Sequence, residues 1–321
     1  GNLYTMVLDP KTHVVALVGG VGGAKLVYGL SKILSPDQFT MIGNVADDFE
    51  LYGLHISPDL DTVMYTLAGV ANPATGWGLR DESWRMLDML RRYGEDIWFH
   101  LGDGDMATHL LRTYWLSRGM TLTTITARLG AALGMQHRLL PVTDDPLATM
   151  VDTVEHGTLA FQEYFVRYQW KPVVRRVWFR GAEQARLTDA AAAALGEADI
   201  IVISPSNPVL SIAPLLAVPG MRAALEARRG VCVAVSPFVG GKAVKGPAEK
   251  LMKELGLDVS PQGLIRYYDG LLDGLVIDES DADEAPEGLA SVLITRTLMQ
   301  SDDDKIRLAT ELIEWLGRML G

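Results

Sequence analysis

Four aspartates within fifteen residues are the groups of this sequence best suited to chemistry. Asp47 and Asp48 lie in one short segment, and Asp59 and Asp61 follow in a second. Clustered carboxylates offer the oxygen ligands that Mg²⁺ prefers, and such a cation can bridge phosphate oxygens. The spacing therefore predicts a metal site, with at least two of the four as ligands, in a protein that acts on phosphoryl groups. Solvated loop carboxylates are the alternative.

A run of glycines lies just upstream of these carboxylates, after the apolar run 14–18. A strand that ends in a glycine turn before a helix presents backbone N–H groups to a phosphate. The turn is not a dinucleotide fingerprint, because a lysine stands where the third glycine belongs, and it lacks the Gly-Lys-Ser/Thr of a P-loop. We predict phosphate binding here, against the alternative of a tight strand-to-helix turn. The residues concerned are Gly19, Gly20, Gly22, Gly23 and Lys25.

The surrounding pattern predicts the elements that position these groups. Residues 13–18 are typical of a buried parallel strand, 24–34 of a helix and 39–44 of a second strand that ends at the first acidic pair. This unit opens a doubly wound, mostly parallel, Rossmann-like α/β fold, which binds ligands at the carboxyl ends of its strands. Asp59 and Asp61 flank one leucine, so in an extended loop both would face the same side.

The rest of the chain alternates between two patterns. We predict an α/β core over 1–80 and 191–321, and an inserted, mainly helical subdomain with a β-hairpin over 81–190 that covers the site. In the insert, the predicted helices are 82–93, 107–118 and 121–133, followed by extended strands in 159–180 with a hairpin near 171–172. In the second half of the core, the predicted strands are 199–204, 231–236, 275–278 and 291–295, and the predicted helices are 212–228, interrupted near 219–220, 247–255 and 304–320. The acidic stretch 278–287 is interpreted as solvated surface.

Two polar segments follow predicted strands of the second half. Ser204, Ser206 and Asn207 precede a helix, where they would bind phosphate or base, and a turn with a helix cap is the equal alternative. The stretch 236–247 repeats the arrangement with two lysines, and a second anion cradle is plausible there.

Other candidates have stronger structural interpretations. Asp105 is expected to cap a helix that starts at residue 106, and His109 is interpreted as a surface or core histidine rather than a ligand. Trp77 lies between glycines, where it would either fill the core or line a flat aromatic ligand.

The composition narrows the class of protein. A net charge of −11 over 321 residues argues against a nucleic-acid partner. No apolar stretch approaches the roughly 18 residues of a membrane span, and no signal peptide is evident, so we expect a cytoplasmic protein with no membrane partner. The single cysteine, Cys232, lies in an apolar run, which predicts a buried thiol.

Taken together, these motifs resemble the 2-phospho-L-lactate transferase family of coenzyme F-420 biosynthesis. The resemblance extends in order over most of the chain. The matching segments are 19–25, 44–48, 58–62, 76–81, 101–109, 204–208 and 236–247.

The resemblance implies a Mg²⁺-dependent and commonly dimeric enzyme with small-molecule substrates. A guanosine diphosphate ester of a three-carbon acid would donate its phospho-acid group, 2-phospholactyl or phosphoenolpyruvyl, to the ribityl hydroxyl of the deazaflavin Fo, and GMP would leave. Carried onto this sequence, the metal ligands are Asp47 and Asp61. Asp48 and Asp59 remain as catalytic candidates that take the proton.

The deazaflavin is assigned to two of the matching segments. The residues predicted to contact it are Asn44, Gly76, Trp77, Gly78 and Arg80. A nucleotide-sugar-binding regulator on the same scaffold, without transferase activity, is the first alternative. A nicotinamide-dependent oxidoreductase is disfavoured by Lys25 in place of the third glycine and by the lack of a catalytic His or Tyr constellation.

Overall fold

The computed structural model of the protein describes residues 8–321, so the first seven residues of the predicted core lie outside the described chain. Its strands are β1 Val14–Val18, β2 Phe39–Gly43, β3 Phe49–Leu51, β4 Leu54–Ile56, β5 Arg138–Pro141, β6 Ala148–Thr153, β7 Gly157–Ala160, β8 Val174–Arg180, β9 Ile200–Ile203, β10 Val231–Val235, β11 Phe238–Val239, β12 Lys242–Ala243, β13 Gly274–Asp278 and β14 Ser291–Thr295.

Helices alternate with these strands along the chain. They are α1 Gly20–Ile33, α2 Pro58–Leu67, α3 Arg85–Arg92, α4 Asp103–Ser117, α5 Leu122–Ala132, α6 Asp189–Glu197, α7 Ala213–Ala217, α8 Met221–Glu226, α9 Ala248–Glu254, α10 Pro261–Tyr268 and α11 Asp302–Leu320. Short π-helical turns span Glu163–Arg167 and Pro208–Ile212, and a 3-10 turn spans Glu279–Glu284.

Seven parallel strands form the central sheet, in the order β14-β13-β10-β9-β1-β2-β5. The strand β1 is buried along its whole length, which explains its unbroken apolar sequence, since helices cover both faces of a parallel sheet. On one side of β1 the sheet continues through β2, and on the other side through β9. This arrangement confirms the predicted fold class. The strand order reverses direction at β1, and such a switch point leaves a crevice at the carboxyl ends of the strands.

The segment 81–190 contributes to more than one layer. Its strand β5 pairs in parallel with β2 and forms one edge of the central sheet. The helices α3, α4 and α5 and a second, antiparallel sheet in the order β7-β6-β8 lie outside that sheet. The division of the chain into a core and an insert stays a prediction, and β5 would then belong to the core.

The expected hairpin near residues 171–172 is wrong. The hairpin joins β6 to β7 instead, and residues 163–167 are helical. Phe161 and Phe165 stack with their ring centroids 5.4 Å apart, because a four-residue spacing places side chains on one face of a helix. Residues 161–167 are therefore helical and were misassigned as extended, whereas β8 confirms the predicted strand at the end of the stretch.

The acidic stretch 278–287 is less solvated than its composition suggested. Asp278 is buried and accepts hydrogen bonds from the backbone N–H groups of Ser280 and Thr297, at 2.9 and 2.8 Å. Asp281 is also buried and accepts from Gly240, at 3.1 Å. The solvated interpretation fails for these two residues because their carboxylates accept hydrogen bonds from the backbone of other loops, which hold them inside.

The first and last helices pack directly against each other. Gly29 of α1 has no side chain, and a Cβ there would collide with the carbonyl oxygen of Lys305 in α11. The buried face of α11 includes Leu308, Leu312 and Ile313. The helix that carries the glycine turn is therefore supported by the C-terminal helix.

Two smaller predictions have clear outcomes. Cys232 is fully buried in β10, and burial raises the pKa of its thiol to about 12, which confirms the buried thiol. Across residues 8–321, none of the helices combines the length and the apolar character needed to span a bilayer.

Candidate functional site

A cavity of about 650 Å³ lies in the crevice at the carboxyl ends of the central strands. It collects loops from both halves of the sheet and side chains from α2, α4 and the π-helical turn at 163–167. Most of the predicted site residues line it. They are Gly19, Gly20, Gly22, Lys25, Asp47, Asp59, Asp61, Trp77, Gly78, Ser206 and Asn207.

The other predicted residues lie behind or beside the cavity wall. They are Gly23, Asn44, Asp48, Gly76, Arg80 and Ser204. Asn44 is fully buried, and its amide donates to Asp59 Oδ2 at 3.0 Å, so its role in the structure is to orient that carboxylate. Arg80 is exposed at the surface. Its contact with a deazaflavin stays a prediction.

The glycine turn packs tightly against the loop after β9. The Gly19 N–H donates to Ser206 Oγ at 3.1 Å, and the same hydroxyl donates to the Gly19 carbonyl at 2.6 Å. A Cβ on Gly22 would lie 2.7 Å from the Pro205 carbonyl oxygen, and one on Gly23 would collide with Ser206 Oγ. The glycines thus allow a close approach of two backbones. Phosphate binding by the turn stays a prediction.

The N-terminus of α1 already faces a carboxylate of the chain. Asp59 is directed at the N–H of Gly20, and a Cβ on Gly19 would lie 2.5 Å from Asp59 Oδ2. A helix N-terminus favours negative charge, so this placement stabilises an ionised Asp59. Burial nevertheless raises the pKa of this carboxyl above its ordinary value.

The segment that carries Asp59 and Asp61 is helical rather than extended. Pro58 occupies the first turn of α2, a position that proline favours because its missing N–H would have no partner there. Residues two apart on a helix point about 200° apart. Asp59 therefore faces α1, whereas Asp61 faces α4, and the expectation that both project from one side of an extended loop is wrong.

Asp47 is buried close to two other carboxylates. Its Oδ2 accepts a hydrogen bond from the N–H of Asp59 at 3.0 Å, and its Oδ1 has no partner among the described residues. Burial, followed by repulsion from Asp59 and Asp48, raises the pKa of Asp47 well above its ordinary value. A bound cation would offset this repulsion and favour the ionised form of Asp47.

Asp48 is engaged more fully by its neighbours. Its Oδ2 accepts from Ser57 Oγ at 2.7 Å and lies 2.8 Å from His55 Nε2. It does not line the cavity, although its Oδ1 is buried and unpartnered within residues 8–321. Asp48 is therefore placed to fix the loop that carries Asp47.

Three buried carboxylate oxygens are available as ligands for a hard divalent cation. Asp47 Oδ1, Asp48 Oδ1 and Asp61 Oδ2 are buried oxygens that make no hydrogen bond in the described structure. An unpartnered buried carboxylate oxygen is costly, and a cation with oxygen ligands would relieve that cost. Mg²⁺ suits such a set better than Zn²⁺, which prefers nitrogen and sulfur.

A buried charge network links Asp61 to α4. Its Oδ1 forms an ion pair with Arg112, which is almost fully buried, and its Oδ2 lies 3.7 Å from His109 Nδ1. His109 Nε2 in turn lies 3.1 Å from Asp105, whose other oxygen accepts from Tyr65 at 2.6 Å. Ligand atoms of Asp61, Asp105 and His109 lie within 4.8 Å of one another. His109 is thus a core histidine, as expected, but one that lines the cavity.

The expected capping role of Asp105 is wrong. The helix α4 begins at Asp103, and its first N–H groups are capped by the side chain of Glu82 from a distant loop. Glu82 accepts from the backbones of Gly104 and Asp105, at 2.7 and 3.0 Å. Asp105 is therefore free to turn inward toward Tyr65. Only a long-range contact determines this, so no local signal predicts it.

Aromatic side chains form a large part of the cavity wall. Trp77 is 45% exposed on its glycine loop, so it does not fill the core. The aromatic residues that line the cavity are Tyr65, Trp77, Trp98, Phe99, Phe161 and Phe165. Most were missed as site residues, although Trp98 and Phe99 stand together in a polar loop and could have been singled out. This wall suits a flat aromatic ligand.

Comparison with known proteins places these features in context. Residues 14–307 match the sequence profile of a family described as 2-phospho-L-lactate transferase CofD. A 2-phospho-L-lactate transferase of Methanopyrus kandleri is 40% identical over 313 residues, which cover 96% of this chain and 99% of the relative. A phosphoenolpyruvate transferase of Streptomyces griseus is 40% identical over 313 residues, which cover 94% of this chain and 98% of the relative.

A solved structure shares the fold. The crystal structure of a UPF0052 family protein from Bacillus halodurans has a TM-score of 0.61 and 15% sequence identity, and the match covers 94% of this chain and 98% of that one. At this identity the likeness concerns the fold.

Proposed function

Because the chain belongs to the 2-phospho-L-lactate transferase CofD family, we propose that it transfers a phospho-three-carbon-acid group in coenzyme F-420 biosynthesis. The group is 2-phospholactyl or phosphoenolpyruvyl. The donor is a guanosine diphosphate ester, the acceptor is the ribityl hydroxyl of the deazaflavin Fo, and GMP is released.

One observation carries the proposal. The cavity joins an aromatic wall, including Trp77 and Phe161, to a cluster of buried carboxylates that includes Asp47 and Asp61. A deazaflavin ring stacks well on the first, and the second would hold a cation that neutralises charge on a diphosphate. A single cavity would therefore hold both substrates, as a direct transfer requires.

The chain supplies positioning and a proton acceptor. In this mechanism the ribityl oxygen attacks the phosphorus that carries the three-carbon acid, and the bond from that phosphorus to GMP breaks in line. Asp59 takes the hydroxyl proton, since it lines the cavity while Asp48 does not. Asn44 holds Asp59 Oδ2 in place. The raised pKa of Asp59, which burial causes, makes its carboxylate a stronger base.

Asp47 and Asp61 would hold Mg²⁺. When bound, this ion would neutralise charge on the diphosphate oxygens and lower the pKa of the acceptor hydroxyl. The unpartnered buried oxygens of these two residues support the assignment.

Binding of Fo tests the proposal first. We expect saturable quenching of deazaflavin fluorescence, followed by GMP release with the matching donor ester in the presence of Mg²⁺. A Trp77→Ala variant should weaken Fo binding by about tenfold through lost stacking. Tyr114→Ala removes a ring that is 54% exposed on α4 and outside the cavity, so it serves as the control.

One outcome would change the assigned function, and another would change only the assigned site. A protein that binds GDP or a nucleotide sugar but not Fo would be a regulator on this scaffold. Fo binding that Arg80→Ala leaves intact would remove Arg80 from the deazaflavin site without affecting the transferase.

The assembly state is a separate prediction. We expect a homodimer, as the resemblance to the family implies. Light scattering should give twice the 35.0 kDa of one chain. A mass of one chain at micromolar concentration would contradict this expectation.

A further inference from the structure

The cavity is lined by both acidic and basic side chains. Four carboxylates line it, those of Asp47, Asp59, Asp61 and Asp105. Within residues 8–321, the only lysine or arginine side chains that line it are Lys25 and Lys245. Lys25 Nζ donates to the carbonyl of Met299, in the loop after β14, at 3.1 Å. Lys25 therefore lies beside the loop after β14, and Lys245 is close enough for its charge to act on Lys25.

Lys25 and Lys245 repel each other, and neither is paired with a carboxylate of the described residues. Burial, and then the charges of Lys245 and Lys305, lower the pKa of Lys25. The lysines that have carboxylate partners in the described structure are Lys250, Lys253 and Lys305. Neither cavity lysine has one. Two neighbouring cations on one cavity wall repel each other, and an incoming anion would offset that repulsion.

The loop that carries Lys245 is held at both ends. At one end the Gly240 N–H donates to buried Asp281 at 3.1 Å, and the Ala243 N–H donates to Glu249 at 3.3 Å. At the other end Gly246 has a positive φ of 77° and packs near the ring of Phe165. Lys245 is itself exposed at the rim. The backbone thus presents this lysine to the cavity while leaving its amine free.

The glycine turn does not by itself provide enough free N–H groups to bind a diphosphate. Its first N–H groups face Ser206 and Asp59, so the positive end of α1 already has partners. A diphosphate needs cations besides the metal. The combined negative charge of the diphosphate and the aspartates exceeds the positive charge of one dication. Lys25, farther along α1, and Lys245 are the groups available.

We infer that Lys25 and Lys245 together form the anion site that binds the diphosphate of the nucleotide donor. The identification of the anion as part of a nucleotide rests on the proposed function, whereas a diphosphate site stands on the cavity alone. The site pulls the donor toward the loop after β14. The phosphorus under attack then lies between the lysines and the aspartates.

Titration calorimetry in the presence of a chelator tests this inference without turnover. Inorganic pyrophosphate and GDP are the two probes. We expect both to bind the wild type, and Lys245→Ala and Lys25→Met to weaken both by about tenfold each, as for the loss of one charge-assisted hydrogen bond. Lys242→Ala is the matched control, because Lys242 is exposed on the same hairpin but does not line the cavity.

The outcomes separate the inference from the proposed function. Pyrophosphate that fails to bind, or that binds Lys245→Ala as tightly as the wild type, overturns the anion site. GDP binding that survives both substitutions overturns it too, while the transferase assignment stands. Lysine-dependent pyrophosphate binding, with GDP no tighter than pyrophosphate and no transfer to Fo, supports the anion site and rejects the guanosine donor.

Discussion

An Asp47→Asn variant should lose at least about a hundredfold in turnover, since a bound metal supplies several kcal/mol of charge stabilisation. It should nonetheless fold as well as the wild type. Within the described residues, the Asp47 side chain accepts one hydrogen bond, from the Asp59 N–H, and an asparagine side-chain oxygen can accept that bond equally well. The substitution also removes a charge that Asp59 and Asp48 repel.

The raised pKa of Asp47 also predicts how the stability of the metal-free protein depends on pH. Burial, then repulsion by Asp59 and Asp48, raises the folded-state pKa of Asp47 above its ordinary 3.8. A raised folded pKa contributes stability at low pH that is lost as the pH rises from the unfolded value through the folded one. In chelator, the wild type should therefore lose stability above about pH 4, and Asp47→Asn should lose less of it.

Thermal unfolding with and without Mg²⁺ measures both the stability of the Asp47→Asn variant and its response to the metal. Mg²⁺ should raise the unfolding temperature of the wild type and leave that of Asp47→Asn unchanged. Asp152→Asn is a suitable control, because Asp152 lies on β6 and does not line the cavity. Near-normal turnover of a folded Asp47→Asn protein would remove Asp47 from the metal site.

The second large effect is on folding. An Arg112→Met variant should lose about 3–5 kcal/mol of unfolding free energy, because it leaves the buried Asp61 carboxylate without its guanidinium partner. Arg112 is 1% exposed and also donates to the carbonyl of His55 at 3.3 Å. Urea denaturation measures the loss. Asp61→Asn alone strands the arginine instead, so activity lost in that variant mixes folding with chemistry.

A double variant and a surface control make this test specific. Combining Asp61→Asn with Arg112→Met removes both charges and should recover much of the stability lost by either substitution alone. Arg91→Met breaks an exposed pair with Asp88 and should cost about 0.5 kcal/mol or less. If Arg112→Met stays within about 1 kcal/mol of the wild type, Asp61 is not held by this ion pair in solution.

Local sequence patterns predicted the centre of the fold well. The run 14–18, the glycine turn and the strand ending at Gly43 are consecutive, so their period and turn residues specify them without help from the rest of the chain. The same holds for the strands β9 and β10. Because strand ends in a parallel sheet meet at one edge, Asp47 after β2 and Ser206 after β9 line one cavity.

The parts that failed depend on distant partners or on a misjudged period. The inward turn of Asp105 follows from Glu82, more than twenty residues away, capping α4 in its place. The ion pair of Asp61 with Arg112 joins two helices that share no local motif. Pro58 as the first residue of a helix was visible in the sequence, as was the four-residue spacing of Phe161 and Phe165, and both were misinterpreted as extended chain.

The contact of Gly29 with Lys305 also has a consequence for how the protein is made. Helix α1 is synthesised long before α11, yet the two share a surface with no room for a methyl group. A nascent chain therefore exposes the side of α1 that packs on α11 until α11 itself has been made. The glycine turn and Lys25 gain the support of α11 only at that stage. A stop codon placed just before α11 should consequently abolish activity, although it removes none of the predicted site residues.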